Sequence, residues 1–135
     1  MTSHIEWKED YSIGNVMVDR EHRELLALVN LIIDASVQTN GGRAVRDAFN
    51  ALQRYVDKHF RNEEGLLEAV ESHHFELQKN QHQMLRTELD ALFSPEPGIR
   101  TVDSIHELAK WTEHRLLKHF LTDDYEAFHD SPFCE

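Results

Sequence analysis

Four long stretches of this chain repeat apolar residues at steps of three and four, and this periodicity constrains the fold more than any other feature. The first stretch, 19–38, gives a helix with one apolar face. Its apolar residues are Leu25, Leu28, Val29, Ile32 and Ile33. Similar stretches run from about 43 to 69, from 72 to 93 and from about 104 past Leu121. Glycine and proline are scarce, at five and three residues, so the chain is predicted to be mostly helical.

The predicted helix ends carry residues that favour helix termini. Asp19 is expected to be the N-cap of the first helix, and Ser72 can cap the third. The segment SPEPG, 94–98, is expected to stop the third helix, because proline and glycine do not continue it. Ser104 and Glu107 have the spacing of a capping box at the start of the fourth.

Four amphipathic helices of similar length with short links predict an all-α fold, an antiparallel up-down four-helix bundle. The whole chain, 1–135, is expected to form one domain. An arm at about 1–18 precedes the bundle at about 19–128, and a short tail follows. The arm contains Trp7, Tyr11 and Ile13, which are expected to pack over the end of the bundle.

The charge and cysteine content exclude several classes of function. Lys and Arg number 14 against 25 Asp and Glu, a formal net charge of −11. This charge argues against nucleic acid and against an anionic membrane as partners. No apolar run approaches the ~20 residues that span a bilayer, and the N-terminus does not resemble a signal peptide. The single cysteine, Cys134, excludes an intramolecular disulfide, so a cytoplasmic protein is the simplest expectation.

Each predicted helix carries candidate metal ligands, and the up-down topology would bring them to one level. They are His22 on the first helix, His59 and Glu63 on the second, His82 on the third, and His119 with Asp123 and Asp124 on the fourth. His59 and Glu63 share a helix face because they are four residues apart. Glu64 lies a further ~100° around the helix and is expected to face solvent.

The chemistry of these side chains favours a metal site over a hydrated polar groove, which is the alternative. Imidazole and carboxylate without thiolate suit iron, manganese or zinc. The two carboxylates among four histidines favour a pair of metal ions, because a carboxylate can bridge. Burying these groups without a metal would be costly.

On four segments the chain resembles the hemerythrin family, in particular the bacterial hemerythrins, over nearly its whole length. The segments are the arm aromatics with D-x-x-H and L-x-x-x-N within 7–32, HFRNEE at 59–64, KNQH at 79–82 and HFLTDDY at 119–125. The resemblance implies a non-haem di-iron centre with two iron ions (Fe2+/Fe3+) bridged by an oxo or hydroxo group. It also implies that Glu63 and the aspartate of the fourth helix bridge the two irons.

The resemblance further divides the histidines between the two irons. His22 and His59 would bind the iron that holds dioxygen, and His82 and His119 would bind the other. The aspartate is ambiguous, because a regular helix favours Asp123 whereas the family motif favours Asp124. A helix end or a π-bulge would present Asp124 inward, and Asp124 is the predicted ligand. The ligand pocket is expected to be formed by Phe60, Leu116 and Phe120.

Two positions depart from the family pattern. Gln78 stands where the third-helix motif has a second histidine. It could coordinate through its side-chain oxygen, hold a water, or be replaced as ligand by His74 or His114. Arg115 stands where the family usually has tryptophan; its guanidinium either opens the pocket or, the favoured alternative, extends to the surface.

The function predicted from these features is reversible dioxygen binding, for oxygen carriage, storage or delivery, without enzymatic activity. The partner is expected to be dioxygen or another small diatomic molecule or anion, and the protein a monomer or weak homo-oligomer. The alternative is a di-iron enzyme that activates oxygen or handles peroxide or nitric oxide, which Gln78 motivates. An oxygen or redox sensor is a further alternative, although 135 residues leave no room for an output domain.

Overall fold

The described residues of the chain form four long helices. The computed structural model describes residues 4–36, 41–92 and 102–128, without the side chains at 41–42 and 102–104. The helices are α1 at Val16–Ala35, α2 at Gly41–Ala69, α3 at Phe75–Leu92 and α4 at 102–128, and a short 3-10 turn, Glu9–Tyr11, lies in the arm. The predicted stop at 94–98, the side chain of Ser104 and Cys134 lie outside the described residues.

The four helices pack as an antiparallel bundle. Consecutive helices contact each other, and α4 also contacts α1, which closes the bundle. His22 near the start of α1 lies 5.0 Å from His59 in the second half of α2, measured between ring centroids. His82 in α3 and His119 in the second half of α4 are 5.1 Å apart. The described residues contain no strand, and the predicted all-α four-helix bundle is confirmed.

Most of the predicted apolar stripes lie in one continuous core, which includes Leu25, Val29, Leu52, Leu89 and Leu108. Leu28 was expected inside and is only half-buried at the edge of this core. A second, smaller cluster lies at the start of α1 and at the ends of α2 and α4. Its residues are Ile13, Val18, Leu67, Ala127 and Phe128. Between the two clusters, the bundle interior is polar.

The prediction that Asp19 caps α1 is wrong. The N-cap is Asn15, whose side-chain oxygen accepts a hydrogen bond from the Val18 N–H at 3.0 Å. Gly14 precedes it with φ +85°, a backbone conformation that glycine adopts without strain. Asp19 lies inside the first turn, where its carboxylate accepts from the Ile13 N–H at 2.9 Å and the Ser12 hydroxyl at 2.6 Å. Asp19 therefore fixes the arm to α1, and the bundle begins earlier than expected.

The arm is held along the bundle by polar and aromatic contacts. The side chain of Asn30 accepts from the Ile5 N–H at 2.8 Å and donates to the Ile5 carbonyl at 2.9 Å. Trp7 and Tyr11 pack edge to face at 5.6 Å, and both pack against the main core. Only Ile13 of the three predicted arm residues joins the end cluster. Asp19 and Asn30, the polar residues of the first motif, thus both hold the arm.

The third helix starts after a turn that contains Ser72. Helix α3 begins at Phe75, after a turn in which the Ser72 hydroxyl accepts from the His74 N–H at 3.1 Å. Within the described parts of the chain, none of the helices is both long enough and apolar enough to cross a membrane.

Candidate metal centre

The four helices bring six buried ionisable side chains together in the polar part of the interior. Each is at most 3% exposed; they are His22, His59, Glu63, His82, His119 and Asp124. They form two groups of possible metal ligands that share both carboxylates, and within each group the ligand atoms lie within 4.8 Å of one another. One group holds His22 and His59, and the other holds His82 and His119.

Each carboxylate turns one oxygen to each group. The Oε2 atom of Glu63 lies 3.3 Å from His59 Nε2, whereas its Oε1 atom lies 3.1 Å from His82 Nε2. The Oδ2 atom of Asp124 lies 2.9 Å from His22 Nε2, whereas its Oδ1 atom lies 3.2 Å from His119 Nε2. Two carboxylates placed in this way can each bridge a pair of cations, one cation per histidine pair.

The donor atoms that face the centre fit metal ions. Within the part of the chain that the structure describes, no hydrogen-bond partner meets the four buried Nε2 atoms, the two Glu63 oxygens or Asp124 Oδ2. The short nitrogen–oxygen approaches between them therefore do not have hydrogen-bond geometry, and buried polar atoms left in this state are costly. Bound cations would satisfy the unpaired nitrogens and oxygens together.

The Nδ1 atoms of three histidines, which point away from the centre, are by contrast hydrogen-bonded. His59 Nδ1 lies 2.7 Å from Glu21, His82 Nδ1 lies 2.7 Å from Glu64, and His119 Nδ1 lies 3.0 Å from Asp123. A carboxylate at Nδ1 holds the proton there and leaves the Nε2 lone pair for a metal, as in many metal sites. The orientation of these rings is thus set by their outer partners.

The pKa shifts in the centre show that its buried carboxylates favour positive charge beside them. Burial disfavours a charged His59, yet the charge of Glu63 and the hydrogen bond to Glu21 outweigh it and raise the pKa of His59 to about 10. For His119, burial is outweighed by Asp124 and Asp123, and the pKa again rises to about 10. Burial also opposes ionisation of Glu63, but the charge of His59 holds its pKa well below the usual value. Without metal, protons on His59 and His119 balance the buried carboxylates; bound cations would take their place.

A π-helical turn decides which aspartate faces the centre. In α4, the segments Thr112–Leu116 and Phe120–Asp124 are π-helical. A π turn adds one residue, so the side chain five positions after His119 points inward. Asp124 is accordingly fully buried, and Asp123 lies on the outer side against His119 Nδ1.

Gln78 also faces the centre. It is 1% exposed, and its Nε2 atom donates to Asp124 Oδ1 at 3.0 Å. The two proposed substitutes lie elsewhere. His74 is half-buried, with its ring centroid 4.1 Å from that of His73, and His114 is exposed. The alternative in which His74 or His114 replaces Gln78 therefore finds no support.

The expected pocket residues surround the histidines. Phe120 stacks on His22 at 3.5 Å between ring centroids, and Phe60 stacks on His82 at 4.0 Å, each with a 5° interplanar angle. Each phenylalanine follows one histidine in sequence and stacks on a histidine of another helix. Leu116 is fully buried as well. These apolar side chains separate the ligand groups from water.

The prediction for Glu64 is wrong, and Glu21 was missed. Glu64 does not point freely into solvent, because it accepts from His82 across the interface between α2 and α3. Its partner lies on another helix, so the periodicity of α2 contains no sign of this contact.

Arg115 extends to the surface, which was the favoured alternative. Its side chain is 42% exposed and binds Glu88 with two hydrogen bonds of 2.9 and 2.8 Å.

Comparison with known proteins agrees with this geometry. The profile of the Hemerythrin HHE cation binding domain matches residues 14–119, and the chain belongs to the hemerythrin family. It is similar to a bacteriohemerythrin of Pseudomonas paraeruginosa, with 30% identity over 66 residues, 49% of this chain and 42% of that relative. The match thus spans less than half the length of the relative. No solved structure matches the chain significantly.

Proposed function

We propose that this protein is a non-haem di-iron protein that binds dioxygen reversibly, for carriage, storage or delivery. The observation that carries the proposal is the pair of buried two-histidine groups that share Glu63 and Asp124. The proposed ligands are His22, His59, Glu63, His82, His119 and Asp124. Membership of a family described as cation binding, and the name of the bacteriohemerythrin relative, support it.

In this proposal, the chain holds the cations, orients their ligands and excludes water. When bound, two iron ions would supply the electrons for reversible dioxygen binding. Phe60, Leu116 and Phe120, all fully buried, keep the site dry, and a dry apolar shell controls the access of solvent. Glu21 and Glu64 hold two of the rings and raise their basicity.

The proposal is tested by loading the metal-free protein with Fe2+ under nitrogen. We expect two bound irons per chain and a visible absorbance that appears with oxygen and disappears when oxygen is removed. His59→Ala should abolish the reversible change, whereas His106→Ala, an exposed histidine on α4, should not. Protein that takes up two zinc ions but no iron, or iron-loaded protein without a reversible change, would contradict the proposal.

A second candidate is a di-iron enzyme that activates oxygen or handles peroxide or nitric oxide, and Gln78 favours it. The group with His82 and His119 has two imidazoles, and Gln78 stands where the resemblance to the hemerythrins implies a third histidine. His119 also lines a surface cavity of about 260 Å³. Irreversible bleaching in oxygen would favour this enzyme, and Gln78→His is then expected to prolong the coloured form. An unchanged lifetime would show that residue 78 does not influence the metal.

A further inference from the structure

Gln78 contacts the oxygen of Asp124 that faces His119. It lies on α3, one turn before His82, and its Nε2 atom donates to Asp124 Oδ1. That oxygen is the one that faces His119, whereas Asp124 Oδ2 faces His22. The amide is therefore placed beside the cation position of His82 and His119.

The two ends of this amide have different surroundings. Nε2 donates to a carboxylate oxygen, and Oε1 is buried with no hydrogen-bond partner among the described residues. Exchanging the two ends would set a carbonyl oxygen against a carboxylate oxygen, which are both acceptors. The contact with Asp124 thus fixes the orientation and leaves a buried lone-pair donor at Oε1.

We propose that Gln78 has two tasks: its Nε2 atom holds the Asp124 carboxylate, and its Oε1 atom is a neutral ligand of the cation bound by His82 and His119. This inference rests on the proposed two-metal site. It makes that half of the site richer in oxygen than a third histidine would, and oxygen donors suit harder ions.

Cobalt titration separates the two tasks of Gln78. Metal-free protein is titrated anaerobically with Co2+, with bound metal and the visible d–d spectrum followed together. Wild type is expected to bind two ions. Gln78→Leu should keep one and bind the other about 10- to 100-fold more weakly, the loss typical of altered metal surroundings. Gln78→Glu should bind the second ion more tightly than Gln78→Leu, because both variants lose the Nε2 donor to Asp124 and only glutamate keeps an oxygen in place of Oε1. Gln83→Leu, at an exposed glutamine on α3, should match wild type.

The outcomes distinguish this inference from the proposed function. Gln78→Leu protein with two cobalt ions at wild-type affinity and spectrum would overturn the inference while the two-metal site stands. Wild-type protein that cannot bind two cobalt ions would overturn the two-metal site itself.

A second measurement follows wild-type protein and needs a variant only to assign one signal. In protein labelled with 15N-glutamine, the side-chain signal of Gln78 is identified by its loss in Gln78→Glu. Its amide protons should exchange slowly even without metal, because they are buried against Asp124. Zn2+ should shift the signal strongly if Oε1 binds the ion, and a signal that stays in place when zinc is bound would overturn the inference.

Discussion

At the scale of single residues, two carboxylates outside the proposed ligand set orient two of its histidines. Glu21 and Glu64 are 14% and 16% exposed and each meets the outer nitrogen of one histidine at 2.7 Å. Burial raises the pKa of Glu21, but the hydrogen bond and charge of His59 outweigh it, and the net shift is downward. Asn62 adds a hydrogen bond of 3.0 Å to the same carboxylate. An ionised Glu21 is thus built into the support of His59.

We expect Glu21→Gln and Glu64→Gln each to weaken metal binding by about 10- to 100-fold, as for other outer partners of metal-binding histidines. Glutamine keeps an acceptor oxygen but loses the charge that polarises the ring. The loss should fall on the ion at His22 and His59 for Glu21→Gln, and on the other ion for Glu64→Gln. Chelator competition measures it, with Glu24→Gln, exposed on α1, as control. Affinities equal to the control would show that these carboxylates do not tune the ligands.

At the scale of elements, α4 departs most from regular geometry, and the departure has a local consequence. Its second π-helical segment, Phe120–Asp124, ends on the residue that reaches the centre. Lys118 and Thr122 stay on the exposed side, where the Thr122 hydroxyl donates to the Lys118 carbonyl at 2.7 Å. In a regular α-helix, Asp123 would have pointed nearer to the inner side. The π turn thus gives two adjacent aspartates different surroundings.

The two aspartates are therefore expected to respond differently to the same isosteric change. Asp124→Asn removes a shared carboxylate, and bound metal should fall from two ions per chain to about one, since one bridging ligand is lost. Asp123→Asn removes only the outer partner of His119, so both ions should remain with affinity reduced about 10-fold. Metal analysis after desalting measures the number of ions bound per chain, and circular dichroism checks that both variants fold. Equal metal content in the two variants would contradict the inward position of Asp124.

At the scale of the whole molecule, the main apolar core continues as far as the polar centre, where Phe60 and Phe120 stack on its histidines. The main core extends from Ile5 and Ile33 to Leu116 and contains many fully buried aliphatic side chains. Such burial stabilises by about 25 cal/mol per Å² of apolar surface, without any metal. The arm adds contacts through Asp19 and Asn30 at two separate points. The fold is therefore expected to form without metal and to gain stability when metal binds.

Removal of metal should lower the stability of the protein and leave its helices in place. An ion that binds one site of the native state adds about 2.7 kcal/mol to the free energy of unfolding when its free concentration is 100 times its Kd. Urea unfolding, followed by circular dichroism with Fe2+ under nitrogen or with chelator, measures the difference. Mg2+ serves as a control because it prefers oxygen ligands and waters to imidazole. An identical midpoint with iron and with chelator would show that the centre does not bind the ion in the native state.

The sequence by itself determined the all-α bundle and which side chains could meet in its interior. The periodicity of Leu25, Val29 and Ile32 specifies a buried helix face, because α-helix geometry repeats every 3.6 residues. The antiparallel order then predicts that His22, His59, His82 and His119 share a level, and in the structure these rings lie in contact. These features follow from local regularity and from chain direction.

Only the tertiary structure decided the features that depend on two elements at once. The carboxylate of Asp19 accepts a hydrogen bond from the arm instead of capping α1. Glu64 accepts a hydrogen bond from His82 of α3, and the amide of Gln78 donates one to Asp124. Each contact joins residues whose spacing along the chain has no helical period, so no single helix pattern contains it. The inward register of Asp124 depends on a π turn whose residues resemble those of an ordinary helix. Packing selects such contacts because buried polar atoms must find partners, and that requirement acts only once the helices have assembled.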